Sequence, residues 1–200
     1  MGTPGMQQQT QLQHVNVKLI LHNHGGPDLE PLIPVFHEWI QEQAPGELLL
    51  DIADYRHVPA GPGVVLIGHE GDYSVDNTDN RLGVRYNRKA ALDGGNQDRL
   101  QQAARAALTA CLRLEADARL GGTLRFGGQE IEIFINDRLL APNSDATRDA
   151  ADSELRAFAR KLFGGTDFSM TYESDRRKLF KVTLKSARPF SVADLLESLG

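Results

Sequence analysis

A chain of 200 residues with net charge −5 (27 acids against 22 Lys and Arg) and a single cysteine excludes several classes of protein. About 70% of the unfolded surface can be buried at this length, so no disulfide or metal staple is needed, and Cys111 alone can form no intrachain bridge. The acidic balance argues against nucleic acid, whose binding draws on cations that neutralise phosphates. No apolar run approaches the roughly 20 residues that span a bilayer, so no membrane association is expected. The opening MGTPGMQQQTQLQ lacks the basic and apolar regions of a secretory signal, and with one thiol the expected setting is the cytoplasm.

Residues 1–13 are rich in Gln and carry no apolar periodicity, so they read as a disordered tail. From Val15, apolar residues at 15, 17, 19 and 21 alternate with Asn16, Lys18, Ile20 and His22, the period of a half-buried strand. Leu29, Leu32, Ile33, Phe36 and Ile40 follow a helical stripe, and Pro31 fits only a first turn, so a helix is expected from about Pro31 to Gln43. Trp39 lies on this helix, either in the core or, if exposed, as an interface anchor.

Residues 48–55 (LLLDIADY) and 64–67 read as strands. The GHEGD that follows reads as a bend or bulge, and 73–76 with 82–86 as a hairpin. Arg81, Arg85, Arg88 and Lys89 mark its outgoing arm, which suits an acidic ligand or a solubilising edge. Arg85 and Asn87 share one face of that arm, Val84 and Tyr86 the other.

A long helix is expected from Asn96 to Ala118, with the stripe Leu100, Ala103, Ala104, Ala107, Cys111 and Leu114. Its alanines permit close approach to a sheet. Thr123–Phe126 and Glu130–Asn136 then read as a hairpin turning at Gly127-Gly128. A helix with Leu155, Phe158, Ala159 and Leu162 inward stops at Gly164-Gly165. Phe168–Tyr172 pairs with Phe180–Leu184, and Ser191 caps a last helix.

The hairpins call for antiparallel pairing, so the fold class is α+β, with largely antiparallel sheet and about four helices. Beyond the tail, residues 14–95 form a β-α-β-β-β half. Residues 96–200 form the long helix plus a β-β-α-β-β-α half, and the two pack as one globular unit. Two ββαββ-like halves sharing the alanine helix is one such arrangement.

All six histidines lie between His14 and His69. His22 and His24 share a strand face, as metal-binding pairs do, and His69, Glu70 and Asp72 could add N and O ligands for a divalent metal. The plainer reading is a solvated strand face. His57, His69, Glu70, Asp72 and Arg85 form a candidate polar site around a stiff loop, 56–63. The competing account is a structural network in which Glu70 or Asp72 pairs with Arg56 or Arg85. No nucleophile elbow, Walker loop or dinucleotide fingerprint is present. The expected function is non-catalytic binding or interaction, with homo-oligomers or protein partners meeting at hairpin edges. The alternative is a His/Glu/Asp hydrolase, with or without a metal.

Overall fold

The computed structural model describes residues 10–22, 26–44 and 46–200. In chain order the elements are β1 (Val15–Leu21), α1 (Leu32–Glu42), β2 (Leu49–Tyr55), β3 (Gly63–Gly68), β4 (Gly71–Asp76), β5 (Gly83–Arg88) and α2 (Asn96–Ala116). Then follow β6 (Phe126–Ile135), α3 (Asp145–Leu162), β7 (Phe168–Tyr172), β8 (Phe180–Ser186) and α4 (Val192–Ser198). The fold is α+β. All eight strands form one antiparallel sheet in the order β2-β3-β4-β5-β1-β6-β8-β7. The halves read from the sequence therefore share one sheet, with β1 paired to β5 on one side and β6 on the other.

The alternation in β1 sets the layers. Val15, Val17, Leu19 and Leu21 point into the core, where α2 packs on β1 and β5. The expected α2 stripe is buried in full, from Leu100 to Leu114. Trp39 of α1 lies edge-on to Tyr73 at 6.4 Å, the Tyr172 hydroxyl donates to Asp152 of α3, and Leu195 of α4 lies over Gly128. These contacts put the four helices on one face of the sheet. The other face carries Asn16, Lys18, Ser74, Asp76, Arg85, Glu130 and Glu132 and has no α-helix across it among the described residues, only a 3-10 turn at Thr78–Asn80.

Cys111 is fully buried, and burial pushes its thiol well above the usual range. Cys111→Ala is expected to be mild, and Cys111→Phe to cost about 1–3 kcal/mol by overpacking. Fast labelling of the native thiol by a maleimide would contradict this placement.

Four expectations need correction. Gly68 to Gly71 is not a bulge but a hairpin turn of two residues, His69 and Glu70, joining β3 to β4. A Cβ at Gly71 would lie 2.6 Å from the Tyr86 hydroxyl, so a ring held against the backbone accounts for that glycine. Gly127-Gly128 is not a turn either: both lie inside β6. A Cβ at Gly127 would meet the His22 ring at 2.3 Å, and one at Gly128 the Phe190 carbonyl at 2.5 Å. Close approach, not chain reversal, selects glycine there.

The arm 82–89 is not an edge, because β5 lies between β4 and β1. Its two faces divide as expected, with Val84 and Tyr86 buried in the core. Last, the described residues of the expected tail, 10–13, are docked on the fold. Residues 1–9 lie outside the described ones, but Leu12 is fully buried and its N–H donates to Asn96 Oδ1 at 2.9 Å. Gln13 exchanges two hydrogen bonds with the Leu92 backbone, both 3.1 Å.

The edges of the sheet are β2 and β7. At β2 the side-chain amide of Gln43 stands in for a neighbouring strand, donating to the Leu49 carbonyl at 3.2 Å and accepting from its N–H at 3.1 Å. Asp51 accepts from the Ile52 N–H at 2.8 Å. Side chains that occupy edge groups in this way discourage strand addition.

Candidate functional site

One cross-strand row spans all eight strands on the helix-free face. The register runs Ala53, Val65, Ser74, Arg85, Lys18, Glu132, Thr183 and Thr171. At its centre the charges are buried. Lys18 is 1% exposed and Glu132 and Asp76 are each 2% exposed, on a face with no α-helix to cover them. The cover comes from the 77–82 loop, which puts the Thr78 carbonyl 3.4 Å from Lys18 Nζ. That loop is tied to the β7–β8 loop by Lys178 Nζ, at 3.1 Å from one oxygen of Asp79, and to β8 by Lys181 Nζ, at 3.4 Å from the other.

Buried charges must be paired and hydrogen-bonded to be tolerated. Lys18 Nζ donates to Asp76 Oδ1 at 2.6 Å, and the same oxygen accepts the Thr78 N–H at 3.1 Å. Arg81 spans Glu130 and Glu132, each at 2.6 Å, and Lys181 lies 3.6 Å from Glu132. Burial pulls the Lys18 amine below its usual range, against the attraction of Asp76. Arg85 is less completely matched. Its nearest carboxylate oxygen, Asp76 Oδ2, is 4.0 Å away, and its Nε is buried with no partner among the described residues. With the Asn16 amide oriented by the network, Arg85 Nη2 donates to its oxygen at 2.9 Å. The guanidinium carbon stands 4.5 Å from the centre of the Phe134 ring. Burial pulls its pKa down, yet a guanidinium stays cationic at neutral pH.

Beside Arg85 the two loops border an open cavity of about 260 Å³. Five cations line it (Arg85, Arg138, Arg177, Lys178 and Lys181) against two carboxylates, Asp79 and Glu173. Phe134 and Leu179 supply its apolar wall.

A second polar group is buried on the helical face. The Tyr86 and Tyr73 hydroxyls donate to Glu47 Oε1 at 2.8 and 3.2 Å, and Gln102 Nε2 donates to the Tyr86 oxygen at 3.1 Å. Burial above all, with the Glu47 carboxylate adding to it, pushes Tyr86 up to about 12 and Tyr73 higher. A phenol raised in the fold stabilises fully below the unfolded value near 10 and loses that contribution as pH rises through the folded value. Lys18, lowered in the fold, acts in the opposite sense between its folded value and 10.5. Phenolate absorbance from Tyr73 and Tyr86 is therefore expected to rise only together with loss of native circular dichroism, between about pH 10 and 12. Full phenolate absorbance with native dichroism at pH 11 would contradict the cluster.

The residues expected from the sequence do not converge. His57 is in the loop before β3, and His69 and Glu70 form the turn after it, so the strand separates them by about 20 Å. The 56–63 loop and the 69–72 turn therefore border no common concavity. The pairing of Glu70 or Asp72 with Arg56 or Arg85 is not made either: Glu70 pairs with Arg88 and Asp72 with Lys89, both at 2.7 Å. Arg56 pairs with Asp54 at 2.8 Å, and Asp54 is held at about 2 by that hydrogen bond. His22 follows β1 beside Gly127, level with the start of β5, whereas His69 is level with the end of β5. His24 lies outside the described residues. No group of three or more His, Cys, Asp or Glu residues is arranged to hold a metal among the described residues.

Of the polar set only Arg85 reaches the cavity. Phe134, Arg138 and Lys181 were missed because they come from distant strands and loops. The one available signal was Phe134 at a position where β6 alternates toward the polar face. No protein-family model, curated protein or solved structure matches this chain. Among the described residues no helix is long and apolar enough to cross a membrane.

Proposed function

We propose that this is a non-catalytic binding protein whose ligand sits on the helix-free face of the sheet, between the 77–82 and 173–179 loops. The observation that carries this reading is the buried charged row through Arg85, Lys18 and Glu132. Lys18 is held by Asp76 and Glu132 by Arg81 beneath the two tied loops, so the cavity beside them has a preorganised polar surround. No histidine, cysteine or serine lines that cavity, and its two carboxylates, Asp79 and Glu173, are ion-paired with Lys178 and Lys181. The hydrolase alternative, with a divalent metal, has less support, because His22 and His69 stand at opposite ends of the sheet. The buried Cys111 thiol is consistent with a cytoplasmic setting.

The test is a panel of small molecules of varied charge, read twice: by thermal shift for binding and by mass spectrometry for consumption. Compounds that stabilise the protein and are recovered unchanged support the reading. Enzyme-dependent turnover of any of them would replace it with the hydrolase.

A protein partner or homo-oligomer is the second reading. Leu48 and Leu50, 55% and 53% exposed, lie with Tyr55 and Val58 along β2 and its flank. Exposed apolar side chains along one edge strand are the kind of surface that partners cover. Sedimentation at increasing concentration checks it; a monomer throughout leaves self-association without support.

A further inference from the structure

We infer that the cavity between the two loops takes a small oxyanion, a phosphate or carboxylate, carrying a compact apolar group. This rests on the binding reading above and names its ligand class.

Three observations point the same way. First, the lining carries five cations and two carboxylates, an excess of three positive charges in a chain of net charge −5. A local positive concavity on an acidic protein focuses the field and draws anions to one place. Second, the cations differ in what holds them. Lys178 is matched by Asp79 at 3.1 Å and Glu173 at 3.4 Å, and Lys181 by Asp79 and Glu132. Arg177 is matched by Asp175 at 2.9 Å. Arg138 donates to the Arg177 carbonyl at 2.7 Å and has no carboxylate within ion-pair distance among the described residues. Arg85 has one at 4.0 Å and an unpartnered buried Nε. Two guanidiniums with spare donors flank the cavity, and planar forks of this kind suit oxyanions.

Third, the space exceeds what an inorganic anion fills. About 260 Å³ holds the volume of eight or so waters at ~30 Å³ each. Phe134 and Leu179 form the apolar part of the wall. The Phe134 ring already carries Arg85 at 4.5 Å and Lys181 Nζ at 5.6 Å, so cationic and apolar surface adjoin there. A ligand with its oxyanion between Arg85 and Arg138 and its apolar group against Phe134 and Leu179 meets both.

The experiment is calorimetric titration of the full chain at low ionic strength with inorganic phosphate, phenyl phosphate, benzoate and neutral benzyl alcohol. Phenyl phosphate or benzoate is expected to bind more tightly than inorganic phosphate, and benzyl alcohol not at all. The comparison of phenyl phosphate with benzoate tells a phosphate site from a carboxylate site. Added salt should weaken binding. Arg138→Ala, an exposed change that spares the fold, and Arg85→Met should each weaken it at least about tenfold, the loss expected for a charged hydrogen bond. Arg156→Ala, an equal loss of charge on α3, should leave it unchanged. Absence of anion binding at low salt overturns the inference, as does equal weakening by Arg156→Ala. Benzyl alcohol binding as well as phenyl phosphate also overturns it. If a neutral panel compound binds the same face while no anion does, the oxyanion assignment fails and the binding function stands.

Discussion

Asp76→Ala is expected to lower the unfolding free energy by about 3–5 kcal/mol, the cost of leaving one member of a buried ion pair alone. The Lys18 amine would lose its 2.6 Å partner at a site 1% exposed, with Glu132 acting on it only through space. Thr78 would lose both its backbone and hydroxyl bonds to the same carboxylate, at 3.1 and 2.8 Å. The cover over the open face would loosen with them. Removing both charges in Lys18→Met with Asp76→Asn should cost less than Asp76→Ala alone, because the buried Lys18 amine is then not orphaned and Asn can still accept from the Thr78 N–H. Urea melts of the wild type, Lys18→Met, Asp76→Asn and the double variant give the coupling between the two sites. Additive effects with no coupling would mean that the pair does not hold the layer together. Against a total stability of about 5–15 kcal/mol, the single change is large.

Leu12→Ala is expected to cost about 2–5 kcal/mol, as for other fully buried leucines. Composition assigns this residue to a tail, yet it is fully buried and belongs to the core cluster. The segment is bound at three points. Leu12 donates to Asn96 Oδ1, Asn96 Nδ2 donates to the Thr10 carbonyl at 2.9 Å, and Gln13 bridges the Leu92 backbone. Asn96 opens α2, so docking the segment also fixes the start of the long helix. A shift in the urea midpoint equivalent to less than about 0.5 kcal/mol, the usual range for surface changes, would show that residues 10–13 do not dock.

The two predictions mark where the sequence was readable. The α2 stripe, the alternation in β1, the Ser191 cap and the Gly164-Gly165 stop are local patterns of spacing and type, and the structure has them. Ser191 accepts from the Asp194 N–H at 3.1 Å, and both glycines after α3 have positive φ, 55° and 77°. Period two in β1 also said that Asn16 and Lys18 share a face. It could not say that the face is covered, because the pairing partner of Lys18 is 58 residues away. Leu12 is a single apolar residue among glutamines, and one residue has no period.

Gly127-Gly128 resembled a turn because a glycine chosen for flexibility and one chosen for close approach look alike until the neighbour is seen. For the site, Arg85 was named from its own strand. Its companions Phe134 and Arg138 enter from β6 and the segment after it, and only the order β5-β1-β6 brings them alongside. The histidines failed for the reverse reason. They are near in sequence, but β3 carries the chain from one end of the sheet to the other between His57 and His69.

The central claim is that the helix-free face is the binding face. Hydrogen–deuterium exchange, with and without the tightest compound of the panel, tests it most directly. Slower exchange confined to the 77–82 and 173–179 loops and the adjoining parts of β5, β6 and β8 is the predicted result. Protection confined to α1, α2 or the 56–62 loop, with those two loops unchanged, would contradict it.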